Sequence, residues 1–234
     1  MPRLFVPHAC IRDGVVEIGG DELKHLRTLR LGPGDPLIVF DDTGTEHTVR
    51  VVHLDRRVAR AAIVHSTAVS RESPLELTLV PALLKAPRMD VVIEKATELG
   101  VRTIAPMLTS RCVAERGHVA RWRRIALAAA KQCGRTCLPA IEEPVPLATR
   151  LEAAWPGLRL IAWEEATAPG WDRLPDAATS VVVLLGPEGG FTADEAAGAQ
   201  AAGFRPVSLG GRVLRAETAA LVAAALCQHR WGDG

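Results

Sequence analysis

Val181-Val182-Val183-Leu184-Leu185-Gly186-Pro187-Glu188-Gly189-Gly190-Phe191-Thr192-Ala193-Asp194-Glu195 reads as an apolar strand, a tight glycine loop and the opening of a helix. Thr192 and Glu195 have the spacing of a capping box, which marks where that helix begins. A second unit of the same kind follows. Arg205 to Ser208 is strand-like, and Leu209-Gly210-Gly211-Arg212-Val213-Leu214-Arg215-Ala216-Glu217-Thr218 leads into a long apolar helix. Alternating strands and helices imply a parallel sheet with crossover helices, and ligands of such sheets sit outside the carboxyl ends of the strands. Two loops free of bulky side chains at that edge make the chain an enzyme candidate. Neither G-x-G-x-x-G nor G-x-x-x-x-G-K-[ST] occurs, which argues against a dinucleotide or a P-loop nucleotide.

The same alternation extends back to Pro74. Leu75 to Leu83 reads as a strand, and a helix from Pro87 buries Met89, Val92, Ile93, Ala96 and Leu99 before stopping at Gly100. Thr103 to Leu108 reads as the next strand, followed by a helix from His118 to Cys133, one near Leu147 to Trp155 and a strand at Leu158 to Trp163. The final helix, about Glu217 to Trp231, is apolar around its whole circumference from Ala219 to Cys227, so it requires cover on all sides.

Before Pro74 the regime differs. Short β-like stretches (Val15 to Ile18, Pro36 to Phe40, Thr48 to Val52, Ala59 to Val64) alternate with turn chemistry, as a small β-barrel would. One helix, Asp21 to Leu29, interrupts them, with Asp21 placed to cap it. The polar segment Ser70-Arg71-Glu72-Ser73-Pro74 separates the halves, which gives domains of 1–72 and 73–234.

The 234 residues are 48% apolar, enough for a real core. No apolar stretch is long enough to span a membrane, and the opening Met1 to Phe5 lacks the features of a signal peptide, so a cytoplasmic location is expected. Five scattered cysteines with no zinc-type spacing read as reduced packing residues, and no metal is expected. A formal net charge of +1 hides an uneven distribution: Lys85 to Arg135 holds 11 basic and 4 acidic residues, a plausible polyanion contact.

Taken together these pieces resemble the bacterial small-subunit ribosomal RNA methyltransferase E family of the SPOUT superfamily. The resemblance rests on Arg3-Leu4-Phe5, His25-Leu26-Arg27-Thr28-Leu29-Arg30-Leu31 and Lys85-Ala86-Pro87-Arg88-Met89-Asp90. Glu94-Lys95-Ala96-Thr97-Glu98-Leu99-Gly100-Val101, Gln132-Cys133-Gly134-Arg135 and the two glycine loops complete it. It spans almost the full length. It implies an α/β fold in which an N-terminal PUA-like β-barrel binds RNA and a C-terminal SPOUT-type α/β domain with a trefoil knot binds S-adenosyl-L-methionine. It also implies a homodimer and methylation of N3 of a uridine in 16S rRNA of the small ribosomal subunit. The family commonly has Ser where Cys133 stands, and Cys133 fits a packing position on its helix. A SPOUT relative acting on another rRNA or a tRNA site, and a non-catalytic RNA-binding assembly protein, are the competing readings.

Within this frame, bare backbone at Gly186, Gly189, Gly190 and Gly210, with apolar contact from Trp163, Leu185, Leu209, Val213 and Leu214, is expected to hold the adenosyl group. Arg135, just past a helix end, is a candidate to stabilise negative charge on the uracil, with a phosphate contact or a helix C-terminal charge favoured by the dipole as the alternatives. Glu188, the one carboxylate of the first loop, is the second catalytic candidate, placed to orient Arg215, assist proton removal or hold the loop. Arg212, Arg215 and Glu217 face a similar choice, with an Arg215–Glu217 pair the simplest arrangement. Arg3, His25, Arg27, Arg30, Lys85, Arg88, Arg124 and Lys131 are expected to meet RNA. Lys85 and Arg88 open a helix, where the dipole disfavours cations, so an anion is expected to offset them.

Overall fold

The structure, a computed structural model, describes residues 1–69, 71–113, 117–164 and 171–234. Ser70 of the expected boundary segment and Glu115 and Arg116 of the basic segment lie outside the described residues. Contacts divide the chain into a first unit, Met1–Glu72 with Ala130–Leu138, and a second, Ser73–Ala129 with Pro139–Gly234. The first unit is therefore not contiguous, which the contiguous reading of the sequence did not anticipate.

In the first unit the strands are β1 (Arg3–Phe5), β2 (Ile11–Arg12), β3 (Val15–Ile18), β4 (Pro36–Phe40), β5 (Thr45–Leu54) and β6 (Ala59–Ala68), with helix α1 (Gly20–Thr28). They form one mixed sheet in the order β1-β4-β5-β6-β3-β2, in which only β1 and β4 run parallel. The long pair β5–β6 changes register twice, and such irregularities bend and twist a ribbon. Inward positions (Leu4, Val16, Ile18, Leu37, Val39, Val49) alternate with solvent-facing ones, and Leu23 and Leu26 of α1 close the core. Among the described residues β1 and β2 remain the two edges, so a closed barrel is not seen. Gly19 rather than Asp21 is the α1 N-cap; Asp21 lies in the first turn and accepts a bond from Lys24 at 2.7 Å.

Arg135 belongs to this unit. It is 4% exposed, and its Nε and Nη2 donate to Glu72 Oε2 at 3.0 and 2.6 Å. Glu72 also accepts from the Cys137 backbone N–H at 3.3 Å. Arg3 is folded inward over the Phe40 ring and paired with Glu46, and its Nη2 donates to the carbonyls of Gly134 and Arg135 at 3.2 and 3.1 Å. Lys131 is mostly buried against Glu22. Burial raises the Glu46 carboxyl pKa, but bonds from Arg3 and Arg71 outweigh this and hold it below its ordinary value.

The second unit contains β7 (Glu76–Pro81), α2 (Arg88–Glu98), β8 (Thr103–Ile104), β9 (Met107–Leu108), α3 (Val119–Cys133, its last four residues counted with the first unit) and β10 (Ala140–Ile141). After these come β11 (Val145–Pro146), α4 (Leu147–Glu152), β12 (Leu158–Ala162), β13 (Ser180–Leu185), α5 (Ala193–Ala201), β14 (Arg205–Val207) and α6 (Ala216–Trp231). Six strands form a fully parallel sheet in the order β10-β8-β7-β13-β12-β14. Both faces are buried. Val181, Val183 and Leu185 pack with Met89, Ile93 and the Ala220–Cys227 stripe of α6, whereas Val182 and Leu184 pack with Ile161, Phe191, Ala196 and Phe204.

The single strand expected from Thr103 to Leu108 is two. Pro106 cannot donate to a ladder, and the chain leaves the main sheet there so that β9 pairs with β11. Helix α4 ends at Glu152, earlier than expected, and Trp155 Nε1 donates to the Arg150 carbonyl at 2.6 Å just beyond it. In α6 the expected cover is one-sided: Ala220, Ala223, Ala224, Cys227 and Trp231 are buried, Leu221, Val222 and Leu226 are half-buried, and Ala225 is exposed. Burial pushes the Cys227 thiol up to about 12, so it stays protonated and inert.

The capping box is formed as the sequence predicts, and it is shared. Glu195 accepts from the Thr192 backbone N–H at 2.9 Å and from Ser110 N–H at 2.8 Å. Burial raises the Glu195 pKa, and these bonds bring it below its usual value. Its folded pKa is thus lower than its unfolded one, so its stabilisation is complete above the unfolded value, near 4.5, and fades as pH falls through the folded value. Glu195→Gln should lower the melting temperature at neutral pH and shrink the loss on acidification, measured by thermal melts from pH 7 downward. An unchanged acid profile would show that Glu195 does not carry this dependence.

Candidate active site

Because β13, β12 and β14 are parallel neighbours, their carboxyl ends deliver three loops to one edge of the sheet. Gly186–Gly190 leaves β13, Trp163-Glu164 leaves β12, and Ser208–Arg215 leaves β14 for α6. A cavity of about 320 Å³ lies among them. Trp163, Gly190, Leu209, Gly210, Val213 and Leu214, all expected at the adenosyl site, are on its wall. Pro187, Ser208, Gly211 and the carboxylates Glu164 and Glu188 contribute too. Wall and ligand class suit each other: apolar side chains, bare backbone and a few polar groups define an organic-ligand pocket.

Two glycines are dictated by geometry. Gly190 has φ +67°, and a Cβ there would stand 2.1 Å from Glu164 Oε1, so this carboxylate can lie over the loop only because the side chain is absent. Gly210 has φ +120° with nothing within 4 Å of its would-be Cβ; it lines the cavity with bare backbone. The first loop closes by a Gly190 N–H bond to Pro187 O at 2.9 Å and is braced by Arg111, whose Nη1 donates to Gly189 O at 2.7 Å. Trp171 Nε1 holds the second through Ser208 O at 3.0 Å.

Three residues expected at the adenosyl site are not on this wall. Leu185 is in the hydrophobic core, Gly186 faces the Phe191 ring, and Gly189 lies against the Arg111 stem. Each supports the loop from behind. The polar wall residues missed from sequence are Glu164 and Ser208, and the brace Arg111 is legible there only as one charge in a basic segment. A polar residue at the carboxyl end of a parallel strand was the available signal for Glu164.

Glu188 is on the wall and is bonded by Arg88 Nη1 at 2.7 Å. Its partner is therefore Arg88 rather than Arg215, and Glu217 likewise faces Arg88, at 3.8 Å from Nε, rather than Arg215. Arg212 is on the cavity wall. Arg135 is not on this wall; its guanidinium bonds Glu72 within the first unit, an arrangement that points to a structural role rather than the charge stabilisation expected of it.

The RNA-contact residues also divide. Arg27, Arg30, Lys85 and Arg124 are exposed, and His25 and Arg88 partly so. Arg3 and Lys131 are not available: both are turned inward onto carboxylates, Glu46 and Glu22, so their charge is spent inside the unit. Among the described residues no group of three or more potential ligands could hold a metal, and no helix is long and apolar enough to cross a membrane.

Comparison with known proteins places this geometry. The RNA methyltransferase domain family matches residues 71–228. The ribosomal RNA small subunit methyltransferase E of Synechocystis sp. is 33% identical over 95% of this chain and 76% of its own length. A crystal structure of a ribosomal RNA small subunit methyltransferase E from Neisseria gonorrhoeae bound to S-adenosyl methionine is 34% identical, covering 100% of this chain and 99% of that one with a TM-score of 0.92. The crystal structure of a probable rRNA-methyltransferase from Porphyromonas gingivalis is 30% identical and covers 98% of both chains with a TM-score of 0.88.

Proposed function

This chain belongs to the RNA methyltransferase family, and from that premise we propose that it transfers a methyl group from S-adenosyl-L-methionine to N3 of a uridine in 16S rRNA of the small ribosomal subunit. The observation that carries the reading is the cavity built by three loops at the carboxyl ends of β13, β12 and β14, in a chain that aligns end to end with a relative bound to S-adenosyl methionine. The residues present fit that group. Leu209 and Leu214 offer apolar cover, backbone at Gly210 and Gly211 can meet the adenine edge, and Glu164 offers acceptors to ribose hydroxyls.

S-adenosyl-L-methionine supplies an electrophilic methyl group on sulfur. In the transfer the nitrogen lone pair forms the N–C bond, the C–S electrons return to sulfur, and the imide proton passes to an acceptor. Glu188 is the acceptor candidate on the cavity wall, held in place by Arg88. Exposed Arg27 and Arg30 in the first unit, with Lys85 and Arg124 in the second, are the proposed phosphate contacts.

The finer architecture belongs to the same proposal: a SPOUT trefoil knot through the glycine loops, a PUA-like first unit, a homodimer and a cytoplasmic protein. The incompletely covered apolar face of α6 (half-buried Leu221 and Val222, exposed Ala225) supports the homodimer, because a chain of this composition gains by covering it with a second copy. Sedimentation equilibrium at micromolar concentration should give twice the 25.0 kDa chain mass, and a single species at 25.0 kDa would end the dimer proposal. The activity is tested by transfer of labelled methyl from S-adenosyl-L-methionine to small subunits, free 16S rRNA and tRNA. Label confined to tRNA, or no label at all, would contradict the assignment.

A further inference from the structure

A second cavity, of about 420 Å³, shares Glu188 with the first. Its other walls are Lys85, Ala86, Pro87, Arg88 and Val113. The Lys85–Pro87 segment follows the carboxyl end of β7, the sheet neighbour of β13, and Ala82 N–H donates to Leu185 O at 2.7 Å where the two strands end. The second cavity therefore stands at the same sheet edge as the first. Arg88 is matched by Glu188 and Glu217, whereas Lys85 is exposed and in no ion pair among the described residues, a cation placed to meet one phosphate. Val113, 59% exposed, adds an apolar surface.

Methyl transfer needs two ligands to meet, and Glu188 is the residue both cavity walls share. Resting on the methyltransferase reading above, we propose that the second cavity receives the nucleotide to be methylated and that Glu188 selects its base. An ionised carboxylate is acceptor-only. Uracil presents a donor, N3–H, at the reacting position; cytosine presents a lone pair there. Glu188 accordingly pairs with the first and repels the second. Lys85 and Arg88 take the phosphate. Arg88 is also a positioning residue, because a guanidinium has five N–H donors and can meet a phosphate oxygen while its Nη1 keeps the 2.7 Å bond to Glu188. Glu217 constrains Arg88 from the other flank through its 3.8 Å approach to Nε.

The test is titration of uridine 5′-monophosphate and cytidine 5′-monophosphate, followed by NMR, into the full-length protein saturated with S-adenosylhomocysteine. The wild type should bind the uridine nucleotide about tenfold or more tightly, the scale of one unpaired polar group. Glu188→Gln should bring the two affinities within about threefold, because an amide can also donate to cytosine N3. Lys85→Ala should weaken both nucleotides alike and keep the preference, whereas Arg88→Ala should weaken both and narrow it. Absence of saturable uridine nucleotide binding at millimolar concentration, or a preference unchanged in Glu188→Gln, would overturn the proposal. Failure of the wild type to bind S-adenosylhomocysteine would instead remove the methyltransferase reading on which it rests.

Discussion

Gly210→Val is expected to reduce affinity for S-adenosyl-L-methionine by about a hundredfold or more while leaving the chain folded. Nothing stands within 4 Å of a Cβ at Gly210, so the first added carbon meets open space at a residue of the cavity wall. The cost to folding is limited to backbone strain at φ +120°, about 1–3 kcal/mol, in a loop outside the core. The cost to binding is larger, because an isopropyl group then occupies space meant for the ligand and pushes the backbone away from polar atoms it should meet. Calorimetry with circular dichroism separates the two. Wild-type affinity in a folded Gly210→Val protein would show that the ligand lies elsewhere.

The second large effect is on stability. Arg135→Ala removes one partner of a buried pair and leaves Glu72 with an uncompensated charge, a loss of about 3 kcal/mol, at the low end for such pairs because Glu72 keeps some solvent contact. It also deprives the turn around Gly134 and Cys137 of its anchor. Chemical denaturation should show the loss, and Arg135→Lys should recover part of it, since one ammonium cannot reproduce the paired guanidinium bonds. Below the melting temperature of the variant, the single-turnover methylation rate should stay close to wild type. A hundredfold slower rate in a folded, equally stable Arg135→Ala protein would restore the charge-stabilising role that the sequence suggests for this residue.

These two positions also show how far the sequence could be read. Gly210 was legible because a glycine pair between a strand and a helix has few uses, and the parallel order of β13, β12 and β14 places it at the cavity. The strand and helix periodicities of the second unit were legible for the same reason: each strand and helix is long enough to show its period. Arg135 was not. Its partner Glu72 lies 63 residues away, and no local pattern reports so distant a pair. Arg3 and Lys131 misled in the same manner, since a cation in a basic context looks solvent-facing until the carboxylate opposite it is seen. The assignment of Ala130–Leu138 to the first unit is a further long-range effect, whereas the break at Pro106 is legible locally, because a proline lacks the N–H that a ladder needs.

Glu188 lies between these cases. Its loop was obvious and its partner was not, because the Arg88–Glu188 bond joins residues 100 positions apart across the adjacent ends of β7 and β13. The most direct test of the account is nucleoside mapping by mass spectrometry of small-subunit rRNA from cells lacking this protein, complemented with wild type or with Gly210→Val. The account predicts that one N3-methyluridine disappears, returns with the wild-type gene and stays absent with Gly210→Val. An rRNA with every methylated uridine retained in the deletion strain would contradict it.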